Sequence, residues 1–88
     1  MEQRATYNTA VQQIRRECLA AFAEWVPPCG DEIRAALSMA NWSAEEFARR
    51  VGVNGRTVRR WVLGESDVAY SAWCVLAAQA GLGHVWMF

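Results

Sequence analysis

Two short helical patterns separated by a glycine turn limit the folds open to this chain. The first begins after Ser43, a helix-capping residue, and Glu46 three residues later completes a capping box. It ends at Gly52, because glycine adopts the left-handed backbone that closes a helix at little cost. Asn54 is a strong cap for the second helix, which closes at Gly64. Helices this short are marginal alone, so the sequence predicts that tertiary packing holds them.

The apolar residues of both segments recur at helical spacing and predict one buried stripe on each helix. The two stripes consist of Phe47, Ala48 and Val51, and then of Val58, Trp61 and Val62. Trp42 before the first cap pairs with Phe47 as a hydrophobic staple, and Val53 pairs with Val58 in the same way. Each helix start is therefore indicated by two features, a capping residue and a hydrophobic staple.

The charges are unevenly spread, although nine basic and nine acidic residues leave the chain formally neutral. Five arginines and no acid fall within residues 49–63. Arg56, Arg59 and Arg60 share a helix face opposite the second apolar stripe. An exposed basic helix backed by an apolar stripe can enter a DNA major groove, where arginine pairs with guanine O6 and N7. The alternative interpretation is a solvated charged face without a partner.

Residues 31–82 resemble the phage-repressor family of helix-turn-helix proteins, of the Cro, cI or XRE type. The positions that carry the resemblance are Phe47, Ala48, Val51, Gly52, Val53, Val58, Trp61 and Gly64. The resemblance implies an all-α fold, a compact helix bundle with a lambda-repressor-like helix-turn-helix. Ile33 and Leu37 fit the first helix of such a bundle, and Leu76 fits the helix that packs beneath the motif.

The resemblance also implies which residues contact DNA. In this family, bases are read by the residues that open the third helix and by those one turn later, here Asn54, Gly55, Arg56, Arg59 and Arg60. The expected phosphate contacts are Arg49, Arg50, Ser43 and Thr57. Ala44 departs from the family's phosphate-binding glutamine, and Val68 replaces the proline that usually precedes the fourth helix.

The N-terminal residues 1–28 are predicted to form an additional amphipathic helix that precedes a helix-turn-helix domain over residues 29–82. Its apolar stripe is Tyr7, Val11, Ile14, Cys18, Phe22 and Trp25. Pro27 and Pro28 end it, because proline lacks a backbone donor and disfavours helical angles before it. Asp31 is the expected cap of the next helix. The stripe either packs on its own domain or forms a homodimer interface, and both can hold.

Residues 68–88 contain no formally charged side chain. A membrane span is nevertheless not expected, because polar residues and glycines interrupt this run and no cation flanks it. The inner face of a fourth helix is predicted to be Trp73, Leu76, Ala77 and Ala80. The apolar tail over residues 83–88 is expected to dock on the N-terminal helix or on a second subunit. Because the N-terminal segment is charged and amphipathic, no secretion signal is predicted.

Three cysteines and His84 match a zinc site in number but not in spacing, so neither a metal nor another cofactor is expected. The odd number of cysteines fits a reducing cytoplasm. No phosphate-binding loop or metal-binding histidine pair is present, so we do not expect an enzyme.

The sequence therefore predicts a cytoplasmic, sequence-specific DNA-binding regulator of transcription, of the small kind found in bacteria, phages and plasmids. We expect a dimeric repressor that binds a pseudo-palindromic operator in double-stranded DNA through residues 54–62. The rival hypothesis is a protein-interaction module of the same fold, such as an antitoxin or a phage-encoded inhibitor of a host nuclease complex. Neutral overall charge favours the rival, because it weakens long-range attraction to DNA.

Overall fold

The computed structural model of the chain describes residues 14–85, and within that range every regular element is helical. Two 3-10 turns come first, Arg16–Leu19 and Phe22–Glu24. Four α-helices follow, α1 (Gly30–Ala40), α2 (Ala44–Val51), α3 (Gly55–Leu63) and α4 (Tyr70–Gln79). The predicted all-α class is confirmed for the part of the chain that the structure describes.

The ends of α2 and α3 lie at the predicted residues. The Ser43 hydroxyl accepts a hydrogen bond from a backbone N–H of the first turn of α2, at 3.0 Å. The Asn54 side chain accepts one from the first turn of α3, at 2.8 Å. Both helices close on glycines in the left-handed conformation, Gly52 and Gly64. Local capping chemistry therefore sets both boundaries.

The core lies where α4 packs against α1 and α2, and where α3 packs against α1 and α2. The Phe47 ring lies 6.3 Å from the ring of Trp42 and 6.0 Å from the ring of Trp61, so the predicted staple at the start of α2 is formed. The predicted inner face of the fourth helix is buried: Trp73, Leu76, Ala77 and Ala80. Three large aromatic rings, those of Phe47, Trp61 and Trp73, are thus buried in this core.

A close backbone approach ties α1 to α3. A Cβ atom built on Gly30 would overlap the carbonyl oxygen of Val62, so only glycine fits at the start of α1. The last turn of α3 consequently rests on the first turn of α1. This contact fixes how α3 is seated on the bundle.

The segment before α1 differs from the predicted amphipathic helix. Between Ile14 and Trp25 the chain forms the two 3-10 turns, separated by extended backbone, while the predicted first turns of that helix lie outside the described residues. The reason is that several of its backbone groups bond to side chains, most of them in α1 and α4. The Cys18 carbonyl accepts hydrogen bonds from the indole N–H of Trp25, at 2.9 Å, and of Trp73, at 2.6 Å.

Glu32 joins this segment to α1. Cys29, rather than the expected Asp31, is the N-cap of α1, and Glu32 completes its capping box. The buried Glu32 carboxylate accepts hydrogen bonds from the backbone N–H of Arg15 at 2.7 Å, from the Arg15 Nη2 at 2.9 Å and from the Cys29 N–H at 2.8 Å. Burial alone raises the pKa of Glu32, but the hydrogen bonds from Arg15 and Cys29 outweigh it and lower the pKa from 4.5 to about 2.

Candidate nucleic-acid interface

Helix α3 has one face in the core and one in solvent. Val58 is fully buried and Trp61 is 5% exposed, whereas Arg56, Arg59 and Arg60 are all exposed. The apolar spacing of the sequence orients the helix, because Val58 and Trp61 can be buried only if the arginines point outward. The three predicted base-reading arginines therefore lie together on the solvent-exposed face of α3.

Among residues 14–85, an acidic side chain approaches one of these three arginines. Arg59 Nη1 lies 4.0 Å from Glu45 Oε1, and both side chains are largely exposed, so water screens this pair. Within residues 14–85, no carboxylate forms an ion pair with Arg56 or Arg60. These two guanidinium groups are accessible to an anionic or hydrogen-bonding ligand.

The predicted phosphate-binding arginines of α2 already have a partner. Arg50 Nε lies 2.6 Å from Glu46 Oε2, and Arg49 bonds to the other oxygen of the same carboxylate. The Arg50 guanidinium also lies 5.6 Å from the centre of a Trp42 ring. Hydrogen bonds from Arg50 and Arg49 hold the pKa of Glu46 below its usual value. A phosphate must compete with Glu46 for these two side chains.

The start of α3 contributes polar groups of a different kind. The Asn54 side-chain oxygen caps the helix, so its amide NH₂ is the part left to face a ligand. Nothing lies within 4 Å of a Cβ built on Gly55, so the helix start is open to a close backbone approach. Thr57 is half-buried, and the hydroxyl of Ser43 is used as the cap of α2. Backbone N–H groups at a helix start favour an anion at this point.

The sequence predicts Glu46 as part of a capping box, whereas in the structure its carboxylate binds Arg49 and Arg50. The signal was present, since Glu46 precedes Arg49 and Arg50 by three and four residues on one helix. Glu45 and Arg59 sit on different helices, so their approach becomes visible only once α2 and α3 are packed together.

A second surface feature lies on the outer side of α4. An apolar groove of about 660 Å³ is lined by Tyr70, Cys74, Val75 and Ala78 of this helix, with Trp42 from the turn before α2. Ser71, Gln79 and His84 complete the lining, and no carboxylate or guanidinium of residues 14–85 belongs to it. Phe22, which is 68% exposed, extends the apolar surface through its ring contact with Tyr70 at 5.4 Å.

The cysteines have structural surroundings. Cys18 and Cys74 are buried, Cys29 is exposed, and all three are free thiols. Burial and the neighbouring Glu32 raise the pKa of Cys18 to about 12, which keeps its thiol protonated. From Ile14 to Val85, no three His, Cys, Asp or Glu residues are grouped so that they could hold a metal ion. In the same range no helix is long and apolar enough to cross a bilayer.

Two proteins of Escherichia coli, each named transcriptional repressor protein KorC, are similar to this chain. One is 43% identical over 76 residues, which cover 83% of this chain and 89% of that protein. The other is 38% identical over 76 residues, with the same shares of the two chains. No family model matches the chain, and no solved structure matches it. The similarity thus covers most of this chain and of both relatives.

Proposed function

Because this chain belongs to the family of the transcriptional repressor KorC, we propose that it represses transcription by binding a specific DNA sequence. Its relatives are repressors, so it is a regulator and not an enzyme. The observation that carries the proposal is the solvent-facing side of α3, where Arg56 and Arg60 have no acidic partner within residues 14–85. As a DNA regulator it acts in the cytoplasm.

In this proposal α2 and α3 are a helix-turn-helix of the phage-repressor type, and α3 lies in the major groove. Arg56 and Arg60 pair bidentately with guanine, with Arg59 beside them. The Asn54 amide and the open backbone at Gly55 contact the adjacent base edges. Three observations support this arrangement: the capped, glycine-bounded helices, the buried inner face of α3 and the exposed arginines.

The phosphate contacts in this proposal flank α3. They come from the first-turn N–H groups of α3 with Thr57, from Ser43, and from Arg49 and Arg50 once these have exchanged Glu46 for phosphate. Contacts of this kind position the helix without reading sequence.

The proposed repressor is a homodimer, because one recognition helix covers too few base pairs for strong specificity. Two copies place their α3 helices in successive major grooves about 34 Å apart. The N-terminal segment and the C-terminal tail that we expect at the interface are described only in part, from residue 14 onward and up to residue 85. Within residues 14–85, the uncharged outer face of α4 is where a second copy packs without charge repulsion. Val75→Glu on that face is expected to shift the sedimentation velocity profile from dimer to monomer.

Selection of bound fragments from random double-stranded DNA tests the function. We expect an enriched inverted repeat whose half-site centres are about one helical turn apart, and binding that weakens steeply with salt. Absence of any enriched motif would contradict the proposal. If binding to DNA is weak and insensitive to salt while a protein partner binds tightly, the protein-interaction module is the correct assignment.

A further inference from the structure

The five arginines of residues 49–63 fall into two electrostatic classes. Three of them face carboxylates in the first turn of α2: Arg49 and Arg50 are bound by Glu46, and Arg59 lies 4.0 Å from Glu45. The other two, Arg56 and Arg60, pair with no acid of residues 14–85. The division does not follow solvent exposure, since all five arginines are exposed.

We infer that Glu45 and Glu46 are specificity determinants that act by competing with DNA phosphates for these three arginines. The inference rests on the proposed function and extends it to the discrimination between operator and other DNA. Carboxylate and phosphate present similar oxygen pairs to a guanidinium group. An arginine that already bonds a carboxylate therefore gives less attraction to any phosphate. Both glutamates also repel the DNA backbone directly.

This competition lowers the affinity for arbitrary DNA more than the affinity for the operator. Binding to arbitrary DNA consists almost entirely of phosphate attraction, and the arginines there take whichever phosphates are near. In the operator complex, the depth of α3 in the groove fixes which phosphates lie within reach, and base contacts from Arg56 and Arg60 add to the affinity. Pairing three of the five arginines with carboxylates thus lowers the affinity for arbitrary DNA more than the affinity for the operator. Because the ion pairs are exposed, they weaken phosphate binding without preventing it.

The experiment compares the wild type with Glu45→Gln/Glu46→Gln and with a matched control, Glu17→Gln/Glu24→Gln. The control makes the same change in net charge at two exposed acids of the 3-10 turns, neither of which is ion-paired within residues 14–85. Affinity is measured by fluorescence anisotropy at 50 to 200 mM salt, on the DNA recovered by selection and on a scrambled duplex of the same length. Thermal melting verifies that each variant is folded.

We expect Glu45→Gln/Glu46→Gln to bind the scrambled duplex about tenfold more tightly at the lowest salt. Its slope of log affinity against log salt becomes steeper by about 0.9 for each freed arginine that meets a phosphate. Affinity for the selected DNA rises less, so the ratio of the two affinities falls. The control variant is expected to change the scrambled-duplex affinity by no more than about twofold, because its acids are not paired with the arginines.

Two outcomes would overturn the inference, and they are distinguishable from failure of the proposed function. If the wild type prefers its selected DNA but the Glu45/Glu46 variant behaves like the control, the glutamates are not specificity determinants. If the scrambled-duplex affinity rises without a fall in the affinity ratio, they act on DNA of every sequence alike. If the wild type prefers no DNA sequence, the proposed function itself fails. If the double variant does not fold, the single variant Glu45→Gln tests the inference. Its slope of log affinity against log salt on the scrambled duplex is expected to become steeper by about 0.9.

Discussion

Two arginine–glutamate contacts in this molecule share their chemistry and differ in their surroundings. Glu32 is 3% exposed and bonds Arg15 across 17 residues of sequence, whereas Glu46 is 22% exposed and bonds Arg50 within one helix. Glu32 also accepts the backbone N–H groups of Arg15 and Cys29. Glu46 has arginine side chains as its partners and stands in contact with water.

The difference separates a structural ion pair from an exchangeable one. Removing Glu32 leaves the backbone N–H groups of Arg15 and Cys29 without their partner in a partly buried site, and that is costly. Removing Glu46 returns two arginines to solvent, which costs little. The Arg15–Glu32 pair therefore anchors the segment before α1. In our proposal, the pairs between Glu46 and the arginines of α2 break when the arginines bind DNA phosphates.

The largest expected effect is on folding stability. Glu32→Ala is expected to lower the free energy of unfolding by about 3 kcal/mol, since it breaks the capping box of α1 and removes the partner of two backbone N–H groups. Glu46→Ala, the matched control, is expected to change it by less than about 1 kcal/mol. Urea unfolding followed by circular dichroism measures both. Equal losses of unfolding free energy in the two variants would show that the two ion pairs do not differ in their contribution to stability.

The pH dependence of stability sharpens the same comparison. Because folding lowers the pKa of Glu32 from 4.5 to about 2, its ionised form stabilises the fold above pH 4.5, and this stabilisation is lost as the pH falls towards 2. We expect wild-type stability to decline across that interval, and the decline to be shallower in Glu32→Gln. Urea midpoints taken at several pH values provide the check. Parallel declines in the two proteins would show that Glu32 does not govern the acid response.

The contact between α1 and α3 allows a smaller test of how α3, the helix that we propose enters the DNA groove, is seated. Gly30→Ala places a methyl group against the Val62 carbonyl and is expected to cost about 2 kcal/mol. Gly55→Ala is the matched control, because a Cβ there meets open space; it is expected to be neutral or stabilising by about 0.5 kcal/mol. Thermal melting compares them. If Gly30→Ala is as stable as the wild type, the close approach of the two helices is not a constraint.

The features of the fold that depend on residues close together in the chain could be predicted from the sequence. The caps at Ser43 and Asn54 and the buried positions Val58 and Trp61 depend on residues within one or two turns, and all were predicted. The predicted N-terminal helix was wrong over the described residues, because its apolar spacing is overridden by hydrogen bonds from distant side chains, from the Trp73 indole to the Cys18 carbonyl and from the Tyr70 hydroxyl to the Ala20 carbonyl. Spacing along the chain does not report such contacts.

The same division applies to the candidate site. The outward face of α3 followed from its periodicity, and the structure places the predicted arginines there. That Arg59 lies beside Glu45 could not be predicted, because it depends on the angle at which α2 and α3 pack. Which of these side chains contact DNA stays a prediction.

The most direct test is the affinity of Arg56→Ala/Arg60→Ala for the DNA selected by the wild type, measured by gel shift beside thermal melting of the same sample. Each truncation is expected to cost about 1 to 3 kcal/mol of specific binding while the melting temperature stays unchanged, since both side chains are exposed. Wild-type affinity and sequence preference in the folded double variant would contradict the assignment of α3 as the DNA-reading helix.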